Sequence, residues 1–214
     1  MVLRPVTTAL ASALLASAVM AAPAPCPQDS QGTPAPRLSE KVKPATPNDL
    51  ELRPGLMQLV TDEQSGGRFW VFTYVVANKT GKTQRFSPRF DLLMGDGTVH
   101  EAGRGVSVDV ARRLRVACAS AQSLDQFQIM GDVLDGEGNA REGFVIWPAT
   151  GDSKQFTLFV SGSSAAFDRV TTPSGKAAIV RRTWCRDYSV PGATDPRVAA
   201  EASFDPIRDR WIMR

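Results

Sequence analysis

The sequence predicts a mostly β protein, an antiparallel β-sandwich with one inserted α-helix. Three observations carry that expectation. Short runs of aromatic and β-branched residues recur along residues 50–214, roughly eight by the usual strand pattern. Gly-, Asp- and Asn-bearing turns separate them. A single segment, "SVDVARRLRVA" at 107–117, has helical periodicity instead.

The first residues, "MVLRPVTTALASALLASAVMAAPAPC", read as an export signal. Arg4 supplies the positive n-region, Val6 to Met20 form a short apolar h-region, and small residues follow at Ala21 and Ala22. The stretch is shorter and more Ala/Ser-rich than a membrane span requires. Cleavage is expected after Ala21, which makes residues 1–21 the signal peptide. Cys26 opens an alternative, a lipid anchor on a cysteine just after the h-region. Pro25 stands where a lipobox has a small residue, and so departs from that pattern.

Residues 22–49 are rich in Pro and Ala with almost no large apolar side chain. Such a segment buries too little surface to offset its ordering entropy and reads as a disordered tether. Residues 50–214 are long enough for a single domain with its own core. No other segment is apolar enough to cross a membrane as a helix. A formal charge of +3 gives no bulk electrostatic case for nucleic acid.

After the tether, "LELR" and "LMQLV" read as strands flanking Pro54-Gly55. "FWVFTYVVA" follows the polar turn "DEQSGG". It places Trp70, Phe72, Tyr74 and Val76 on one face and Phe69, Val71, Val75 and Ala77 on the other. A strand exposed on one side alternates apolar with polar. This one is apolar on both, so a second layer is expected over its far side.

"NKTGK" is a turn, with Gly81 free to take positive φ. "QRFSPRFDLLM" continues as a strand interrupted at Pro88, and Gly95-Asp96-Gly97 turns it into a hairpin. In the helix Ser107 is the expected N-cap, and Asp109 suits the first turn. Val110, Leu114 and Ala117 form the stripe expected to cover the second face of the strand at 69–77, over Val71 and Val75. "SLDQFQIMGDVL" is ambiguous. "FVIWP", "QFTLFVSG" and "AAIVRRTWCRDYSVPG" read as strands, and "RWIMR" as a closing one.

"FWVFTYVVANKTG" resembles the early strand of many immunoglobulin-like export modules. With "GDVLDGEGNAREGFVIWP" (131–148) and "RWIMR", the chain resembles a group of exported bacterial proteins of unknown function. The resemblance spans about 50–214 and implies an immunoglobulin-like sandwich in the cell envelope. It carries no active site.

Three cysteines in an exported chain allow one disulfide and a leftover. Cys118 and Cys185 lie in the body and are the expected pair; three unpaired thiols are the alternative.

His100 is the single histidine. A Ser-His-Asp triad would have to use it, and the serines of "SGSSAAF", Ser163 and Ser164, lack the strand–elbow–helix setting of a nucleophile. One His and three scattered Cys offer no zinc spacing. "DVLDGEGNAREG" gathers Asp132, Asp135, Glu137, Asn139 and Glu142. Counted as a calcium loop from Asp135, it has Ala140 where Gly is required and Ile146 where the bidentate Glu belongs, which excludes an EF-hand. A looser ligand loop formed by Glu137, Asn139, Arg141 and Glu142 remains a candidate. No phosphate-binding Gly-rich loop is present.

Arg104, Arg112, Arg113 and Arg115 form a basic cluster able to face anionic polymers or head groups. Trp147, Trp184 and Trp211 lie in strands, where packing is the default use of an indole. Asn78-Lys79-Thr80 matches a glycosylation sequon that an export context of this kind leaves idle.

These readings converge on an exported, non-catalytic module without cofactor or metal. It would act by interaction or structure in the envelope on a protein or polymer partner. A carbohydrate- or polymer-binding module is the alternative, recognisable by a flat exposed row at Trp147 or Trp184.

Overall fold

The fold opens on two long strands joined by a tight turn, β1 (Glu51–Thr61) and β2 (Arg68–Ala77). The computed structural model describes residues 46, 48–150, 155–190, 201–204 and 206–214, all within one unit spanning 38–214. The expected signal peptide, its cleavage site and Cys26 lie outside the described residues. "LELR" and "LMQLV" are one strand. Its register against β2 shifts between Pro54 and Met57, a bulge that absorbs the proline's missing donor without ending the ladder.

Three further strands follow: β3 (Gln84–Phe86), β4 (Arg89–Met94) and β5 (Val99–Glu101). Helix α1 is Val108–Cys118. The chain continues through β6 (Gly131–Val133), a 3-10 turn at Glu137–Asn139, β7 (Arg141–Pro148), β8 (Gln155–Ser161) and β9 (Phe167–Thr171). It ends with β10 (Ala177–Ser189), β11 (Glu201–Phe204) and β12 (Pro206–Met213).

The protein is mostly β, with every ladder antiparallel. One sheet runs β11-β1-β2-β7. A larger one runs β12-β10-β8-β4-β5, with β9 beside β10, and β3-β6 form a small ribbon. Pro88 marks the point where the chain leaves the ribbon for the large sheet, which is why "QRFSPRFDLLM" is two strands. The ambiguous "SLDQFQIMGDVL" is loop and turn, with one isolated bridge from Leu124 to Gly143 of β7 before it reaches β6.

The two large sheets bury one core between them. Trp70, Phe72, Tyr74 and Val76 of β2 share it with Val145 and Trp147 of β7, Phe90 and Leu92 of β4, and Phe156 and Leu158 of β8. Trp70 meets Phe156 at a ring separation of 4.7 Å, and Tyr74 meets Phe90 at 4.8 Å. Both contacts join side chains of opposite sheets. Burying each such side chain contributes about 1.5–3 kcal/mol. Gly143 stands opposite Tyr74 across the β2–β7 ladder. A Cβ there would lie 2.6 Å from the tyrosine oxygen, so only glycine leaves room for the ring.

The far side of β2 is also covered. Phe69, Val71, Phe144 and Ile146 form a second cluster with Val110 and Leu114 of α1. Ser107 caps the helix, its Oγ accepting the Val110 N–H at 3.3 Å. Two details differ from expectation. Ala117 is exposed and Cys118 packs at that end of the helix instead, since the stripe follows an i, i+4, i+8 line. Val75 is only half-buried and lies outside the cluster; Phe144 and Ile146 of β7 take the place expected of it.

The turn after β2 is fastened from inside. Asn78 is fully buried. Its Nδ2 donates to the carbonyls of Lys82 (2.8 Å) and Val133 (2.7 Å), and its Oδ1 accepts from the N–H (3.0 Å) and hydroxyl (2.8 Å) of Thr80. The sequon asparagine is thus a structural hub joining the turn to β6, closed to a glycan by its burial.

Candidate functional site

The four ligand-loop residues do not converge. Glu137 belongs to a surface ion network, where its Oε2 accepts from Arg53 Nη2 at 2.6 Å and Lys79 Nζ stands 3.7 Å away. Glu51 completes the network, 2.8 Å from Arg53 Nε and 2.6 Å from Lys79. The guanidinium of Arg53 and the ammonium of Lys79 hold the Glu51 carboxyl down to about 2. Arg53 likewise lowers Glu137.

Asn139 turns back to donate to the Asp135 carbonyl at 2.6 Å. Arg141 reaches the carbonyls of Ile129 and Asp132. Glu142 accepts from the hydroxyls of Ser120 and Ser123. Asp135 accepts from the Gly81 N–H at 2.8 Å. Each group is engaged separately, and among the described residues no three His, Cys, Asp or Glu side chains gather as a metal site.

The expected disulfide is not formed, because Cys118 and Cys185 are both free thiols. Cys118 packs with the α1 cluster outside the four-stranded sheet. Cys185 packs with Phe159 and Ile212 on the outward side of the large sheet. The whole core lies between them, and facing sheets stand about 10 Å apart, beyond the reach of a disulfide. Burial pushes the Cys185 thiol up to about 11, and raises Cys118 as well.

His100 sits half-buried in β5 opposite Leu92. Ser163 and Ser164 lie beyond β8 and are buried. Ser164 Oγ donates to Asp49 Oδ1 at 2.7 Å, and Asp49 Oδ2 accepts from Arg182 Nη1 at 3.0 Å. Arg182 is 1% exposed, with its guanidinium 4.5 Å from the Trp211 ring centroid. Ser164 is therefore part of an interior lock. That lock ties Asp49, which the sequence reading places in the tether, to the centre of β10. Sequence reasoning missed it, since a pair 133 residues apart leaves no local pattern.

The basic cluster is partly spent on structure. Arg113 grips Asp62, and Arg112 pairs with Asp109 one turn back at 2.7 Å. Arg104 is exposed. Arg115 lines a groove of about 280 Å³ between α1 and the segment around Phe127, floored by Phe144 and Ile146. Val108 (85%) and Phe127 (71%) stand exposed at its lips. Trp147 and Trp184 are buried in the shared core, so neither forms an exposed row.

Comparison with protein-family models, curated proteins and solved structures finds no match to this chain. Among the described residues no helix is long and apolar enough to cross a membrane.

Proposed function

We propose that this chain is an exported, immunoglobulin-like β-sandwich acting as a non-catalytic interaction module of the cell envelope. Residues 1–21 serve as its export signal, and the Pro/Ala-rich segment from 22 serves as its tether, ending where Asp49 joins the body. The observation that carries the reading is the apolar groove beside α1. Val108 and Phe127 face water over a ready-made apolar floor, a feature that marks interaction surfaces. Arg115 at its rim, beside the Asp109-paired Arg112, favours a partner with acidic groups. The partner is an envelope protein whose segment inserts apolar side chains between Val108 and Phe127 and turns carboxylates toward the arginines.

The absence of an exposed Trp147 or Trp184 row weighs against a sugar-stacking surface. The reactive-type groups His100, Ser164 and Glu142 sit on separate elements, the latter two in structural hydrogen bonds.

Photo-crosslinking in living cells tests the reading, with the photoreactive group at 108 or 127 and at Lys176 on the far hairpin as a control. Adducts with one envelope protein are expected from 108 and 127 alone, and Val108→Asp should abolish the adduct formed at 127. Adducts that are absent, or equal at all three positions, would contradict it.

A further inference from the structure

The outward side of the large sheet carries a second concavity, of about 700 Å³, with quite different chemistry. Four arginines line it: Arg85 of β3, Arg89 of β4, Arg181 of β10, and Arg214 just beyond β12. Asp91 is the single Asp or Glu side chain in that lining. Guanidinium groups stay charged at any physiological pH, so the excess is permanent.

The arrangement is built rather than incidental. The Asp91 carboxylate, only 5% exposed, holds Arg89 Nε at 3.1 Å with one oxygen and Arg214 Nη1 at 3.1 Å with the other. Arg214 is further fixed over the Phe159 ring, 4.5 Å from its centroid. Its backbone pairs both ways with Arg181, at 2.6 and 3.0 Å. Gly162 at φ +90 lets the end of β8 pass against Ser87; a Cβ there would lie 2.8 Å from the Ser87 carbonyl carbon. That close approach forms one wall.

A purely structural ion network balances its charges. Here Arg89 has a second partner in Glu101 at 2.7 Å, but Arg85 and Arg181 form no ion pair among the described residues. Both are exposed. Several guanidinium forks around one opening suit an anion with more than two oxygens and more than one charge. A carboxylate would occupy only one fork, whereas a phosphate engages several through charge-assisted, bidentate hydrogen bonds.

We propose that this concavity binds a phosphate group, recognised by Arg85 and Arg181 together with the preset Arg89 and Arg214. The proposal does not depend on the groove beside α1 or on where the chain resides. The same chemistry occurs in a free phosphate or in an anionic phospholipid head group.

Two measurements on the full chain test it and separate those sources. One is calorimetric titration with inorganic phosphate in an oxyanion-free buffer. The other is co-sedimentation with phosphatidylglycerol vesicles. Saturable phosphate binding without sedimentation identifies a soluble phosphate; sedimentation identifies the lipid. In either case the double variant Arg85→Ala/Arg181→Ala should bind at least about tenfold more weakly. Its melting temperature should be unchanged, since neither side chain holds an ion pair, and Arg112→Ala should bind normally. Neither phosphate binding nor sedimentation by the wild-type chain, or undiminished binding by the double variant, would overturn the proposal.

Discussion

Arg113 holds the buried carboxylate of Asp62 through two hydrogen bonds of 2.7 Å each, tying α1 to the turn between β1 and β2. Ser65 adds its hydroxyl (2.6 Å) and its N–H (3.0 Å) to the same carboxylate. Arg113 first, and then Ser65, keep the Asp62 carboxyl well below the usual carboxylate range. The helix covers the second face of β2, so this clasp positions the cover.

The clasp predicts a pH dependence. A carboxyl whose pKa is lower in the folded state than in the unfolded chain stabilises the fold above the unfolded value, about 3.9 for Asp and 4.3 for Glu. That stability is lost as pH falls toward the folded value. Asp62, Glu51 and Glu137 all shift this way. The melting temperature should hold from neutrality down to about pH 5 and fall below about pH 4. Asp62→Asn should melt lower at pH 7 and lose less on acidification. A variant with the wild-type acid slope would remove Asp62 from this role.

Asn78 gives a second prediction. Asn78→Ala removes the side-chain donor to the Val133 carbonyl and the acceptor of the Thr80 N–H, while the Lys82 carbonyl keeps the Thr80 hydroxyl at 3.0 Å. The cost is about 1–3 kcal/mol for each group that stays dry. Asn78→Asp keeps the acceptor but sets a negative oxygen against two carbonyls, and should be at least as harmful. Urea unfolding reads both; an unchanged midpoint in Asn78→Ala would contradict the hub.

The thiols give a third. Peptide mapping without reductant should recover Cys118 and Cys185 unpaired. Native alkylation of Cys185 should be slow at pH 8, because the side chain is fully buried and that burial pushes the thiol up to about 11, away from the reactive thiolate. Denaturant should release it. A Cys118–Cys185 peptide would refute the packing described for both faces.

The proposed export gives a fourth. N-terminal sequencing of the mature chain should begin at Ala22. A diacylglyceryl group on Cys26 would replace the soluble form with an anchored one.

The parts of the fold legible in sequence were those with local periodicity. β2 announces its two covered faces because Trp70/Phe72/Tyr74/Val76 and Phe69/Val71 alternate within one run. α1 announces its start through Ser107 and its stripe through Val110 and Leu114. The cysteines show a signal left unused: Cys185 follows the core residue Trp184, so period-two alternation turns it outward, away from any partner across the core.

What stayed hidden depends on distant pairing. Asp49 with Arg182, Asp91 with Arg214, and the departure of β4 from β3 at Pro88 are decided by strand order, which no short window contains. The ligand-loop residues looked like a constellation because they are close in sequence. Glu137, Asn139, Arg141 and Glu142 each bind a different neighbour once the chain turns at Gly136 and enters β7.

β2 is a packing element covered on both faces, and urea unfolding of Trp70→Ala, Leu114→Ala and their double variant measures both covers. Trp70 lies in the core between the sheets and Leu114 in the cluster under the helix. Trp70→Ala should cost about 3–5 kcal/mol and Leu114→Ala about 2–5. With separate packing partners, the two losses should add to within about 0.5 kcal/mol. If Trp70→Ala leaves the unfolding midpoint in place while abolishing crosslinking at Phe127, β2 is a recognition surface and not a packing element.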